Sequence, residues 1–157
     1  MLRPAAVADF DSLYELWTHS AVRRFLFDDR VIPREEAWGF LERSETAFRE
    51  SGYGIWLFFE KSSGSLAGFC GLLRSSKGEP SLVFGTDPDF WGRGYAPQAA
   101  SAVLAYALET LGLDRVTADV DEPNQASVRV LEKLGMRRTA RRMVNGRPLL
   151  DYEIRAT

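Results

Sequence analysis

A mixed domain of the α/β or α+β kind is what this 157-residue sequence predicts, and three observations carry the prediction. Two helix-period apolar stripes come first. Three short strand-like runs separated by turn residues come next, and a strand–helix–strand–helix stretch then leads to a final hairpin. No repeat, low-complexity tract or linker interrupts the chain, so residues 1–157 read as a single domain with one core.

The elements follow in order. Asp9 is placed to cap a helix running to about Ser20, with Phe10, Leu13, Leu16 and Trp17 on one stripe. Pro33 opens a second helix to about Glu50, carrying Ala37, Phe40, Leu41 and Phe48, and Gly52 stops it. Strand-like runs at 53–60, 66–74 and 81–85 are joined by turns at 62–64 and 75–80, which makes an antiparallel meander. A third helix opened by Pro97 holds Ala99, Ala100, Val103, Leu104, Ala107, Leu108 and Leu111 at helical spacing, and Gly112 closes it. A strand at 116–120 precedes a helix capped by Asn124, striped by Val128, Leu131 and Leu134 and ended by Gly135. Runs at 136–143 and 148–154 form a hairpin around Asn145-Gly146. The aromatics Phe25, Phe27, Trp38, Tyr53, Trp56, Phe58 and Phe59 are expected mostly in the core.

Composition narrows the function classes. A net charge of −2, with 45% hydrophobic and 27% charged residues, fits an ordinary globular domain and gives no global sign of nucleic-acid binding. The local run of Arg129, Lys133, Arg137, Arg138, Arg141, Arg142 and Arg147 reads as a solvated face plus one or two functional contacts. Cys70, the single cysteine, cannot make an intrachain disulfide and reads as a small core residue. With no signal peptide and no long apolar run, the expectation is a cytoplasmic protein without a membrane partner. No metal is expected.

The stretch Trp91-Gly92-Arg93-Gly94-Tyr95-Ala96 carries the most chemistry. A glycine turn entering a helix leaves several backbone N–H groups unpaired and aligned, with the positive end of the helix dipole behind them, which suits a phosphate. Such a turn also occurs without a ligand. A dinucleotide fingerprint needs a third glycine where Pro97 stands, and the triphosphate loop with its Lys-Ser/Thr is absent.

A second segment, from Asp121 through Asn124, Ser127, Glu132-Lys133-Leu134-Gly135 to Met136, follows the 116–120 strand. Together the two segments resemble the GNAT N-acetyltransferase superfamily, whose loop has the form Gln/Arg-x-x-Gly-x-Gly/Ala and is followed by Asn-x-x-Ser/Ala and Glu-Lys-Leu-Gly-Phe. The Trp-Gly-x-Gly-Tyr-Ala form looks like the branch of ribosomal-protein N-terminal acetyltransferases, as do Leu2-Arg3-Pro4 with Asp9 and Val22-Arg23-Arg24-Phe25-Leu26.

The resemblance implies a mixed, mostly antiparallel seven-stranded sheet, splayed between the strands at 81–85 and 116–120 and flanked by about four helices. Acetyl-CoA would lie in that opening as cosubstrate. Its pyrophosphate would meet Gly92, Arg93, Gly94, Tyr95 and Ala96, and its outer phosphate Arg129 or Lys133. Asn124 would bond the pantetheine arm, Ser127 would lie near the sulfur, and a strand N–H among Phe84, Gly85 and Thr86 would steady the oxyanion. The first two helices and their loop would wall the acceptor, with Phe25 shaping it and Asp28 or Asp29 attracting a cationic amine. The C-terminal hairpin is a candidate dimer surface, so the chain is expected as monomer or homodimer.

The implied reaction is direct attack of a primary amine, from a protein N-terminus or a small molecule, on the thioester. Many members carry a tyrosine acid at the position of Leu131, so thiolate stabilisation passes to Ser127. The branch commonly carries a glutamate at the position of Ser81 and another at that of Gln98. Glu79, two residues before Ser81, is then the candidate base, with Asp121, Glu122 and the single histidine, His19, behind it. An α-amino group of pKa about 7.8 is roughly a tenth neutral at pH 7 and a lysine amine only about 0.04%, so a site without a strong base suits an α-amine. Ser81 and Leu131 also keep open a domain that binds acyl-CoA without chemistry, and a nucleotide-phosphate binder is a third reading.

Overall fold

The computed structural model describes residues 2–157. Its strands are β1 (Leu2–Pro4), β2 (Ile55–Phe59), β3 (Leu66–Arg74), β4 (Pro80–Thr86), β5 (Arg115–Asp121), β6 (Arg137–Val144) and β7 (Arg147–Arg155). They form one sheet in the order β1-β2-β3-β4-β5-β7-β6. All neighbours run antiparallel except β4 and β5, which are parallel and are joined at one residue pair, Ser81 with Thr117. Beyond that pair the two strands part, so the expected splay sits where the chain passes from the meander to the crossover.

The helices are α1 (Phe10–Thr18), α2 (Ser20–Arg23), α3 (Arg34–Ser51), α4 (Tyr95–Ala105) and α5 (Gln125–Lys133). α4 and α5 cover one face of the sheet, packing Ala100, Val103, Leu104, Val128 and Leu131 on Leu72, Leu82, Val116, Ala118, Leu150 and Tyr152. α1 and α3 cover the other face, with Leu13, Trp17, Ala37 and Leu41 on Ile55, Leu57 and Phe69. That second core contains no residue of β5, β6 or β7. The polar side of β5 and β7 therefore stays open, and this opening becomes one wall of the site.

Several elements depart from the sequence expectation. Asp9 does not cap α1: its carboxylate accepts the Ala6 N–H at 2.8 Å and pairs with Arg3 at 2.7 Å. The first helix breaks at His19, whose extended backbone (ψ 129°) caps α2 by accepting the Ala21 N–H on Nδ1. α4 begins at Tyr95, two residues before Pro97, whose missing N–H costs nothing in a first turn. Its last turn, Tyr106–Thr110, widens to a π-helix. β1, carried in the sequence only by the resemblance, pairs with β2. Trp38, expected in the core, stands 40% exposed with an edge on Phe10. The hairpin turn has Asn145 and Gly146 both at positive φ, the geometry that this dipeptide favours.

Candidate functional site

The site starts from the unpaired edge of β4. The Asp87 N–H donates to the Ala67 carbonyl at 2.8 Å, which fixes the alternation. Val83 and Gly85 turn their backbone groups to β3, whereas Phe84 and Thr86 turn theirs toward β5. Because pairing with β5 ends at Ser81, the N–H groups of Phe84 and Thr86 face the opening without a strand partner. Of the three residues expected to offer an oxyanion N–H, Gly85 turns its own N–H to the β3 ladder. The hydroxyl of Thr86 is buried and has no hydrogen-bond partner. A run of unused donors on a buried edge fits an extended ligand with carbonyl groups.

Above this edge lies the glycine turn. Gly92 and Gly94 both sit at φ 77°, a left-handed conformation that glycine adopts without the Cβ penalty. A Cβ at either position would meet no atom within 4 Å, so the backbone angle and not the space selects glycine. Gly94 is the N-cap of α4, and no side chain fills that cap, so the first N–H groups of the helix are left for a ligand. The Trp91 indole N–H donates to the Thr86 carbonyl at 2.8 Å and closes the turn, while its ring stays 57% exposed.

A cleft of about 1520 Å³ joins the glycine turn, the open β4 edge and the polar face of β5 and β7. Phe25, Asp28, Glu79, Phe84, Gly85, Thr86, Gly92, Gly94, Tyr95, Ala96, Asp121, Asn124 and Ser127 all line it, so the fold gathers most of the expected residues in one place. The Asn124 side-chain oxygen Oδ1 accepts the Ser127 N–H at 3.3 Å, which caps α5 and leaves the side-chain NH2 donors free. Among the described residues, the Ser127 side chain makes no hydrogen bond within the chain.

Other expected residues lie elsewhere. Arg93 lies outside the cleft lining and pairs with Glu60 at 2.6 Å. Arg129 and Lys133 stand exposed on α5, outside the cleft lining and with no acidic partner among the described residues. Asp29 contacts Arg23 at 3.6 Å and His19 caps α2, so neither lines the cleft. Glu122 is also outside it, held by Arg141 at 2.9 Å, which keeps its carboxyl below the usual range. Glu79, the expected base, is bound by the Arg115 guanidinium, which also reaches Glu153 at 2.9 Å. Its carboxylate is thereby engaged in an ion pair where β4 and β5 meet. Cys70 is buried, and burial pushes its thiol pKa up, as an inert core residue requires.

A group missed in the sequence takes a more suitable position. Asp119 lies on the polar side of β5, two residues beyond Thr117, and lines the same cleft as Phe84. Its side chain is 57% exposed and lies in the concave cleft. That concave setting pushes its carboxyl pKa up, Arg142 opposes the shift, and the Asp151 and Asp121 carboxylates add to it. Asp121 is also raised, by burial first and then by Asp28, against the pull of Arg147. The signal was present in the alternation Thr117, Asp119, Asp121 opposite Val116, Ala118, Val120, but only the missing helix cover shows that this polar side faces a cleft.

The family model of the acetyltransferase (GNAT) domain matches residues 1–137. The chain belongs to the GNAT acetyltransferase family. This GNAT domain is 31% identical to YkkB of Bacillus subtilis over 66% of its own length and 63% of that protein's, so the match spans under two thirds of YkkB. It is 28% identical to the uncharacterized N-acetyltransferase YnaD of the same organism, over 88% of this chain and 79% of YnaD. Among solved structures it superposes on RimL, the ribosomal L7/L12 alpha-N-protein acetyltransferase in complex with coenzyme A, with a TM-score of 0.82. That match, at 18% identity, covers 99% of this chain and 93% of RimL and concerns the fold alone. No helix among the described residues is long and apolar enough to cross a membrane.

Proposed function

We propose that this GNAT domain transfers an acetyl group from acetyl-CoA to a primary amine, of a protein N-terminus or a small molecule, by direct attack on the thioester. The observation that carries the reading is the open β4 edge, where the Phe84 and Thr86 N–H groups run from the glycine turn into the cleft. Bound there, acetyl-CoA supplies an activated acyl carbonyl. The N–H groups around Gly92–Ala96 and the dipole of α4 hold the pyrophosphate, and Arg129 and Lys133, free on α5, meet the outer phosphate. The Asn124 amide bonds the pantetheine arm.

The Phe84 N–H donates to the carbonyl oxygen as negative charge grows on it. Ser127 places its hydroxyl toward the departing sulfur. Asp119 takes the proton from the acceptor's ammonium, which frees the lone pair for attack. A carboxylate with a raised pKa does this more readily for an α-amine near 7.8 than for lysine near 10.4, a difference of about 400-fold in proton affinity. Phe25 and Asp28 wall the acceptor side. The chain acts as a monomer, or as a homodimer through the exposed edge strand β6.

Thiol release from acetyl-CoA with a panel of peptide α-amines, lysine peptides and small amines at pH 6–9 tests this. The expected result is amine-dependent thiol, fastest with α-amines; faster lysine acetylation overturns the acceptor class. Engagement of Glu79 by Arg115, with Leu131 in place of a tyrosine, favours one other reading, an acyl-CoA-binding domain without chemistry. CoA affinity without amine-dependent thiol would decide for it. A larger rise in Tm with ATP or NAD than with CoA would decide for a nucleotide binder.

A further inference from the structure

On the open side of the C-terminal half-sheet, three side chains meet across three strands. Asp119 of β5 stands directly opposite Asp151 of β7, a cross-strand pair of like charges that repels unless compensated. Arg142, from the edge strand β6, supplies the compensation. Its Nε and a terminal nitrogen bind the two Asp151 oxygens at 2.6 and 3.0 Å, a bidentate geometry that fixes the guanidinium plane. A terminal nitrogen of that anchored group lies 4.0 Å from Asp119. All three side chains line the cleft.

We propose that Arg142, held in place by Asp151, is a positioning residue that sets the protonation of Asp119 and so the pH range over which the acceptor amine loses its proton. The proposal rests on the reading of Asp119 as the base. The asymmetry of the contacts carries it. Arg142 binds both oxygens of Asp151 and touches Asp119 only at the limit of an ion pair, so Asp119 keeps oxygen sites open to the cleft. The remaining charges facing Asp119 are Asp121 on its own strand and Glu153 on β7. Arg147 of the hairpin and Asp28 of the loop pair with each other at 3.3 Å. Glu153 is taken by Arg115, so Arg142 is the nearest cation to Asp119. Without it, Asp119 and Asp151 would face each other with no cation between them.

The test titrates side-chain carboxyl carbons by NMR in protein labelled at aspartate, with the Asp119 signal assigned by its loss in Asp119→Asn. In Arg142→Gln the Asp119 midpoint is expected to rise by about one pH unit, a tenfold gain in proton affinity. In Arg142→Lys, which keeps the charge without the fork, it should lie nearer the wild-type value. The acid limb of kcat/KM should move with it. A midpoint unmoved in folded Arg142→Gln overturns the proposal, whatever the activity. A midpoint that moves while the acid limb stays still upholds the coupling and removes Asp119 as the base. A purely structural Arg142 would lower the rate at every pH without moving either.

Discussion

Ser81 on β4 and Thr117 on β5 form the one residue pair that joins the two halves of the sheet, and the cleft exists because no second pair follows it. Just below, Glu79 and Arg115 bind across the same two strands, and the Thr117 hydroxyl donates to the Pro80 carbonyl at 3.3 Å. The seam is closed at one end and open at the other, like a hinge held by its pin. The closed end holds the strands together, and the open end forms the cleft.

Glu79→Gln should therefore lower Tm while leaving the pH profile of kcat/KM where it is. A clamp residue affects how well the two halves hold together; a base would shift the acid limb. Thermal melts and rate profiles on one preparation check both, and a moved limb would return Glu79 to the chemistry.

Asp119→Asn should act oppositely on the two readouts. Loss of the proton acceptor lowers kcat at neutral pH by about 10²–10⁴. Because the folded state raises the pKa of Asp119, ionising it costs stability as pH climbs from about 3.9, the unfolded value, through the folded one. The neutral amide avoids that cost, so Tm at pH 7 should rise relative to wild type and match it at low pH.

Asp9 predicts the reverse pH dependence. Arg3 and the Ala6 N–H hold its carboxyl below the usual range, so its contribution to stability is complete above about 3.9 and is lost as pH falls through the folded value. Asp9→Asn should lower Tm at pH 7, and the difference should vanish as pH falls through the folded value of Asp9, below which both forms are neutral. Equal effects at both values would refute the ion pair as the source.

Gly94→Ala should weaken CoA binding by about tenfold. A left-handed backbone costs an L-residue about 1–2 kcal/mol, and relief of that strain would turn the helix N–H groups away from the ligand. Calorimetric titration with CoA reads this directly. Binding unchanged in the folded variant would mean that the turn does not hold the pyrophosphate.

Ser127→Ala should lower kcat by about tenfold or more, the worth of a hydrogen bond to a charged group, while leaving the KM for acetyl-CoA in place. A rise in KM with kcat intact would make Ser127 a binding residue only.

Much of this molecule was legible in one dimension because its signals are local. Turn glycines at 52, 112 and 135, the Asn124 cap and the Asn145-Gly146 turn report backbone angles that only those residues adopt cheaply, and each ends or starts an element where expected. The glycine turn at 92–96 was legible for the same reason. Asp9 misled because a carboxylate can serve any nearby donor, and Arg3 with the preceding 3-10 turn was nearer than the helix.

The sequence by itself therefore determined the elements, their order and the phosphate turn, since each rests on interactions within a few residues. Which cleft carboxylate is held in a close ion pair with an arginine was decided by tertiary structure alone. Glu79 and Asp119 are both acidic residues at or within strands, and nothing local distinguishes them. Glu79 lands beside Arg115 at the closed end of the seam, and Asp119 lands where α1 and α3 no longer cover the sheet. A carboxylate's role depends on the charges and the water around it, and those are set by strands far apart in the chain.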